Sequence, residues 1–344
     1  MRIALVSDAW APQVNGVVRT LQATIACLRR RRHPVELVTP DQFTTIACPG
    51  YPEIRMAVQC RRAVERRLDA FAPHAVHIAT EGPLGWAARR WCLAKAMPFT
   101  TSFHTRFPEY LALRTGLPAD WFWPAVRRFH GPAAAVFAAT DGLIDELRGR
   151  GIARTHRWSR GVDLAQFSPH GPLYPLLADL EGPVMLHVGR VAVEKNIEAF
   201  LDARVTGAKV IVGDGPARER LQRAYPEAHF LGALHGDMLA AAYRAADVLV
   251  FPSLTDTFGL VMIEALASGV PVAAYPVRGP LDVIGDAAIG ALHDDLAVAI
   301  GRALTADASA CAAAARLYDW ESCTDQFLAG LRPHLSDEAA LLAA

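Results

Sequence analysis

Apolar and polar positions follow the same rhythm in both halves of the chain, with a break between them. In the first half the runs RIALVS (2–7), VELVTP (35–40), AVHIAT (75–80), FTTSFHT (99–105) and AAVFAAT (134–140) are short and almost continuously apolar, the pattern of strands buried on both faces. Stretches with helical spacing lie between most of them, at 16–32, 61–71 and 84–96. RGVDLAQFSPHGP (160–172) interrupts the alternation with Pro and Gly and reads as a domain boundary. The rhythm restarts with VMLHVGR (184–190), AKVIVGDG (208–215), AHFLG (228–232), DVLVFPS (247–253) and VPVAAYP (270–276). Helical segments at 196–204, 216–224, 237–246 and 259–268 separate these runs. Alternating β and α predicts mainly parallel, doubly wound sheets, so the chain reads as two α/β domains. In such sheets ligands sit beyond the C-terminal strand ends.

A length of 344 residues fits two domains better than one. No stretch approaches the roughly 20 apolar residues of a membrane span. MRIALVSDAW reads as a first strand and not as a signal peptide. The six cysteines form no CxxC pair and no metal-ligand spacing, which predicts reduced thiols in a cytoplasmic protein. The formal charge is zero overall but polarised. Residues 1–168 hold 23 Lys+Arg and 13 Asp+Glu, and residues 169–344 hold 12 and 22. The basic half is expected to meet something anionic: a membrane surface, a phosphorylated ligand or nucleic acid.

Candidate chemistry gathers at the strand ends. VGRVAVEKN (188–196) puts Arg190 and Lys195 after a strand, and Lys195 is one of only three lysines against 32 arginines. Two cations there can clamp a diphosphate and neutralise it as it leaves. Gly16, in VNGVVRT, opens a helix where a phosphate can approach the backbone, although a turn glycine explains it equally. Gly215, in IVGDGP, sits in a strand-end loop that contacts a nucleotide or merely starts a helix at Pro216. His104, in TSFHTRFPEY, ends a strand of the basic half. PSLTDTFGLVMIEALASGVP (252–271) spaces two carboxylates eight apart around a helix start. The backbone N–H groups of Thr257, Phe258, Gly259 and Leu260 then make an anion site. Asp256 lies before it, as a ligand group or a helix cap. Glu264 interrupts an apolar run and needs a partner if buried. No HExxH, nucleophile triad or carboxylate cluster argues for a metal or covalent catalysis.

In order and spacing, SDAWAPQVNGVVRT, EGPLG, SFHTRFPEY, RGVDLAQFSP, VGRVAVEKN, VGDGP, AADVLVFPS and TDTFGLVMIEALASGVPV resemble the retaining glycosyltransferases of family four over nearly the whole chain. The resemblance implies the GT-B fold, two Rossmann-like domains facing across a cleft. It places an acceptor-binding domain at 1–165, a donor-binding domain at 172–318, and a segment at 319–344 that returns to the first domain. It implies transfer of a hexose from a UDP- or GDP-sugar, with no metal or other cofactor. Gly16 would admit the donor diphosphate, and Arg190 and Lys195 would bind it. Glu264 would take the ribose, and Asp256 with residues 257–260 the sugar and distal phosphate. His104 would stabilise the transition state. The family signature has Glu where this chain has Asp256, one methylene shorter.

CRRAVERRLDAFAP (60–73) sets Arg61, Arg62, Arg66 and Arg67 on a helix with an apolar side of Ala63, Leu68 and Phe71, and LRRRRH (28–33) adds four arginines. A basic amphipathic helix predicts contact with an anionic membrane. With the resemblance, this gives a peripheral enzyme on the inner face of the cytoplasmic membrane, with a lipid acceptor such as diacylglycerol and no nucleic-acid partner. A nucleotide-sugar 2-epimerase of the same fold and a non-catalytic nucleotide-sugar-binding protein are the alternatives. The first would need proton-transfer groups for the sugar C2, and no convincing set is present. The second is opposed by intact Arg190, Lys195 and Glu264.

Overall fold

The computed structural model describes residues 1–334 apart from 14, 49–50 and 287. It forms two compact units: Met1–Ser159 with the chain from Trp320 onward, and Arg160–Asp319. The last part of the expected returning segment, 335–344, lies outside the described residues.

Unit 1 contains strands β1 (Ile3–Val6), β2 (Val35–Val38), β3 (Thr45–Cys48), β4 (Tyr51–Ala57), β5 (Ala75–Ile78), β6 (Phe99–Ser102), β7 (Ala135–Ala138) and β8 (Thr155–Arg157). Its helices are α1 (Gly16–Arg30), α2 (Arg61–Phe71), α3 (Pro83–Ala94), α4 (Phe107–Thr115), α5 (Trp123–His130) and α6 (Asp141–Gly149). Six strands pair in parallel in the order β2-β1-β5-β6-β7-β8. All four residues of β1 are fully buried, because helices cover both faces of the sheet. Ala4 and Val6 meet one core with Leu84 and Trp91 of α3, and Ile3 and Leu5 meet the other with Leu21 and Leu28 of α1. His77 is fully buried in β5, and its ring nitrogens are bonded to Thr100 (2.8 Å) and Ser102 (2.8 Å) on β6. The β3–β4 hairpin is antiparallel and separate from the sheet. Neither it nor the three-residue edge strand β8 has an apolar run, so the hydrophobic pattern does not announce them.

Unit 2 contains α7 (Pro175–Ala178), β9 (Val184–Val188), α8 (Ile197–Asp202), β10 (Ala208–Val212), α9 (Arg218–Ala224), β11 (His229–Gly232), α10 (Gly236–Arg244), β12 (Val248–Phe251), α11 (Leu260–Ala267), β13 (Val272–Ala274), α12 (Arg278–Val283), β14 (Gly290–Leu292), α13 (Leu296–Ala303) and α14 (Ala308–Ala315). Its sheet order, β11-β10-β9-β12-β13-β14, is the doubly wound dinucleotide-binding order 3-2-1-4-5-6. The sheet is parallel throughout. Val162 N–H donates to the Tyr318 carbonyl at 2.7 Å, which closes the segment after Ser159 onto the end of the same unit.

The chain then returns to unit 1 as α15 (Trp320–Gly330). Phe327 is fully buried against Trp158 (5.0 Å between centroids) and His77 (5.0 Å). Two of the four arginines at 29–32 are engaged there: Arg30 pairs with Glu321, and Arg31 with Glu321 (2.7 Å) and Asp325. A second part of the expected basic surface is also altered. Val64 and Leu68 turn the apolar side of α2 into the unit's own core, so that side is not offered to a membrane. Arg61 pairs with Glu65 (2.9 Å) and Arg67 with Glu36 (2.7 Å), whereas Arg62 and Arg66 stay exposed. Among the described residues no single helix is long and apolar enough to cross a membrane.

Candidate functional site

In the 3-2-1-4-5-6 order, β9 and β12 are neighbours whose connections leave to opposite sides, and this switch point opens a crevice at their C-terminal ends. Lys195 comes from the loop after β9 and Asp256 from the loop after β12, and they meet there. The Lys195 Nζ donates to both carboxylate oxygens of Asp256, at 2.7 and 2.8 Å. Each side chain is about three-quarters covered, at 24% and 26% exposure. Burial pushes the Asp256 carboxyl up, but the adjoining ammonium outweighs it and holds the group below the usual aspartate value. His187, the fourth residue of β9, bonds through Nδ1 to the Val250 carbonyl at 3.2 Å. Burial lowers its pKa to about 4, so the imidazole beneath the pair is neutral at physiological pH.

Asp256 is not a helix cap. The residue at the N-cap of α11 is Gly259, with φ 91°, and no side chain caps this end. A Cβ at Gly259 would lie 2.8 Å from the Phe251 ring, so both the backbone angle and the packing demand glycine. The helix starts one residue later than its sequence pattern predicts, at Leu260, with Thr257 and Phe258 in the loop before it. Uncapped N–H groups and the helix dipole make this end attractive to anions. Arg190 is half-buried on the same loop as Lys195, just beyond Gly189. Gly215 lies in the next strand-end loop, where a Cβ would come within 2.5 Å of the Val191 carbonyl. Helix α9 begins at Arg218 and not at Pro216, so Gly215 belongs to a loop packed on the Arg190 segment.

Glu264 is 3% exposed inside α11. Its Oε2 accepts a hydrogen bond from the Tyr243 hydroxyl of α10 at 2.9 Å. Tyr243 is a residue the sequence reading misses. A single tyrosine in AAAYRAAD carries no periodic signal, and only packing sets it against a carboxylate 21 positions away.

Gly16 and His104 belong to unit 1. Gly16 is the exposed first residue of α1, whose Asn15 cap accepts from the Val18 N–H at 3.0 Å. His104 is buried just beyond β6, its ring 5.6 Å from that of Trp158. The sequence also gave no sign of what happens at this unit's own switch point, between β1 and β5. Asp8 takes the α3 N–H groups of Leu84 (2.8 Å) and Gly85 (3.2 Å) and the Thr80 hydroxyl (3.0 Å). Burial, assisted by Glu81, outweighs these bonds and raises its pKa to about 6. Among the described residues no group of three or more His, Cys, Asp or Glu could hold a metal ion.

A parallel sheet of order 3-2-1-4-5-6 and a second doubly wound unit in the same chain are the architecture of the GT-B glycosyltransferases. Residues 14–166 match the family model of Glycosyltransferase Family 4, and residues 182–308 that of Glycosyl transferases group 1. The chain belongs to this glycosyltransferase family, and it is an enzyme. It is 34% identical over 321 residues to the GDP-mannose-dependent alpha-mannosyltransferase of Mycolicibacterium smegmatis, covering 86% of this chain and 84% of that protein. It is 27% identical to the alpha-monoglucosyldiacylglycerol synthase of Streptococcus pneumoniae, covering 89% and 79%. Among solved structures, a sucrose-phosphate synthase from Thermosynechococcus elongatus shares the fold with a TM-score of 0.77 at 22% identity, covering 95% and 97%.

Proposed function

We propose that the enzyme is a retaining hexosyltransferase that moves mannose from GDP-mannose to a lipid acceptor such as diacylglycerol, without a metal ion. The observation that carries this reading is the Lys195–Asp256 pair beside the uncapped start of α11. An ammonium has three N–H donors, and Asp256 takes two of them. The third, with the Arg190 guanidinium, serves the donor diphosphate. The N–H groups from Thr257 to Leu260 serve its distal phosphate, and Glu264, oriented by Tyr243, serves the ribose. Gly16 and His104 keep the roles the family resemblance implies. The choice of donor and acceptor is supported by relatives named for GDP-mannose and for diacylglycerol.

In the reaction, the bond from the sugar's anomeric carbon to the phosphate oxygen breaks, and an oxocarbenium-like state forms. The acceptor hydroxyl adds on the same face and gives its proton to the departing phosphate, so the configuration is kept. Lys195 and Arg190 oppose the charge that develops on the diphosphate. The test is incubation with GDP-mannose or UDP-glucose and dispersed diacylglycerol, with products read by mass spectrometry and anomeric NMR. An α-linked mannolipid, formed equally in EDTA, is expected, and Lys195→Ala should lower kcat/KM by about a hundredfold to a thousandfold. No transfer and no donor hydrolysis across the panel would sink the proposal, as would solvent deuterium at C2 of recovered nucleotide-sugar.

A further inference from the structure

Helix α3 buries Leu84, Ala87, Ala88, Trp91 and Cys92. Trp86, Arg89, Arg90 and Leu93 stand at i, i+3, i+4 and i+7, so they form a second stripe along the same helix. That stripe walls a cavity of about 510 Å³, completed by Arg61 at the start of α2 and Arg128 of α5. The volume lies within the roughly 300–1,000 Å³ of small-molecule sites. Four arginines line it and no carboxylate does. Among the described residues, Arg61 is the one of the four with an acidic partner, Glu65.

Arg89 is held in place among them. Arg89 donates to the carbonyls of Phe129 (3.0 Å) and Arg128 (2.7 Å), and its guanidinium lies 5.0 Å over the Trp86 ring. Trp86 in turn sets its ring edge-on to Phe129 at 5.0 Å. Burial, and then repulsion from Arg128, lower the Arg89 pKa below the ordinary arginine value. Like charges gathered around one cavity are relieved by an anion within it. Two apolar side chains stand exposed on the same wall, Trp86 at 36% and Leu93 at 48%. Cations beside an exposed tryptophan and leucine fit the boundary between headgroups and acyl chains better than a soluble anion.

We propose that this cavity binds the phosphate of an anionic phospholipid headgroup and seats the enzyme on the membrane through α3, with Trp86 and Leu93 entering the interface. This rests on the lipid-acceptor reading and relocates the membrane contact from α2, whose apolar side is core. The test is flotation of the full chain with phosphatidylcholine vesicles with and without phosphatidylglycerol. Wild type should bind only the anionic vesicles. Arg90→Ser with Arg128→Ser should weaken that binding by about twenty-fivefold, at about fivefold per arginine. Leu93→Asp, with every arginine kept, should weaken it as well. The charge-matched control, Arg62→Ser with Arg66→Ser outside the cavity, should lose much less. Equal loss in both double variants would overturn the cavity in favour of diffuse charge. Stabilisation by inorganic phosphate that the cavity variant loses, with vesicle binding intact, would overturn the lipid in favour of a soluble anion. Transfer to detergent-dispersed acceptor should be unchanged in the cavity variant. Wild type that binds vesicles but glycosylates no lipid would overturn the proposed function and leave this inference standing.

Discussion

Asp256 spends both oxygens on Lys195, so its first task is to aim a cation. Asp256→Asn removes the charge that orients the ammonium and should lower kcat/KM by about a hundredfold. Asp256→Glu, which restores the family's residue, should stay within about tenfold of wild type in the same steady-state assay. Equal losses would show that charge at this position is not what matters. A second carboxylate sets a pH dependence. With its pKa raised to about 6, folded Asp8 binds a proton more readily than an unfolded aspartate at 3.8. Between those values the folded state holds the extra proton, so stability falls as pH rises through the window, and the full cost is present above about 6. Urea midpoints for unit 1 should therefore drop between about pH 4 and about pH 7, a span that covers that window, and Asp8→Asn should flatten the drop. Parallel profiles would refute the assignment. Lys195 and Glu264 were legible because each breaks a local pattern, a lysine in an arginine-using chain and a charge in an apolar helix. Tyr243 and the bonds of Asp8 were not, because their partners lie 21 and more than 70 positions away.

Among the elements, α15 shows most plainly what the pattern of a sequence leaves out. Its run WESCTDQFLAG reads as an amphipathic helix, but nothing local says which sheet it covers. The family resemblance supplied the return to unit 1, and packing supplies the reason: Phe327 fills a site between Phe137, Trp158 and His77. Phe327→Ala should cost about 3–5 kcal/mol, measured as a loss of unit 1 stability in chemical denaturation. A loss below about 1 kcal/mol would mean that α15 is an ornament of the fold. The strongly apolar strands β1, β5, β9 and β12 were legible outright. The β3–β4 hairpin and β14 were not, since short, partly exposed strands carry neither a continuous nor a cleanly alternating pattern.

At the scale of the whole molecule, charge divides less sharply by unit than by sequence half. The described residues from Trp320 onward bring Arg332 and two carboxylates to the basic unit, and those carboxylates, Glu321 and Asp325, neutralise part of its arginine tract. A reading by halves could not see this, because the crossing happens in space. The return of the chain also has a consequence for its birth on the ribosome. Unit 2 is one continuous segment, whereas unit 1 lacks its covering helix until the last of its sequence has been made. Domains fold as units during synthesis. The second unit to be translated should thus be the first to become protease-resistant, while the N-terminal sheet waits with the part of one face around His77, Phe137 and Trp158 uncovered. Pulse proteolysis of nascent chains stalled once Asp319 has cleared the exit tunnel should find Arg160–Asp319 protected and Met1–Ser159 cleavable. Equal protection of both at that length would show that unit 1 closes without its final helix.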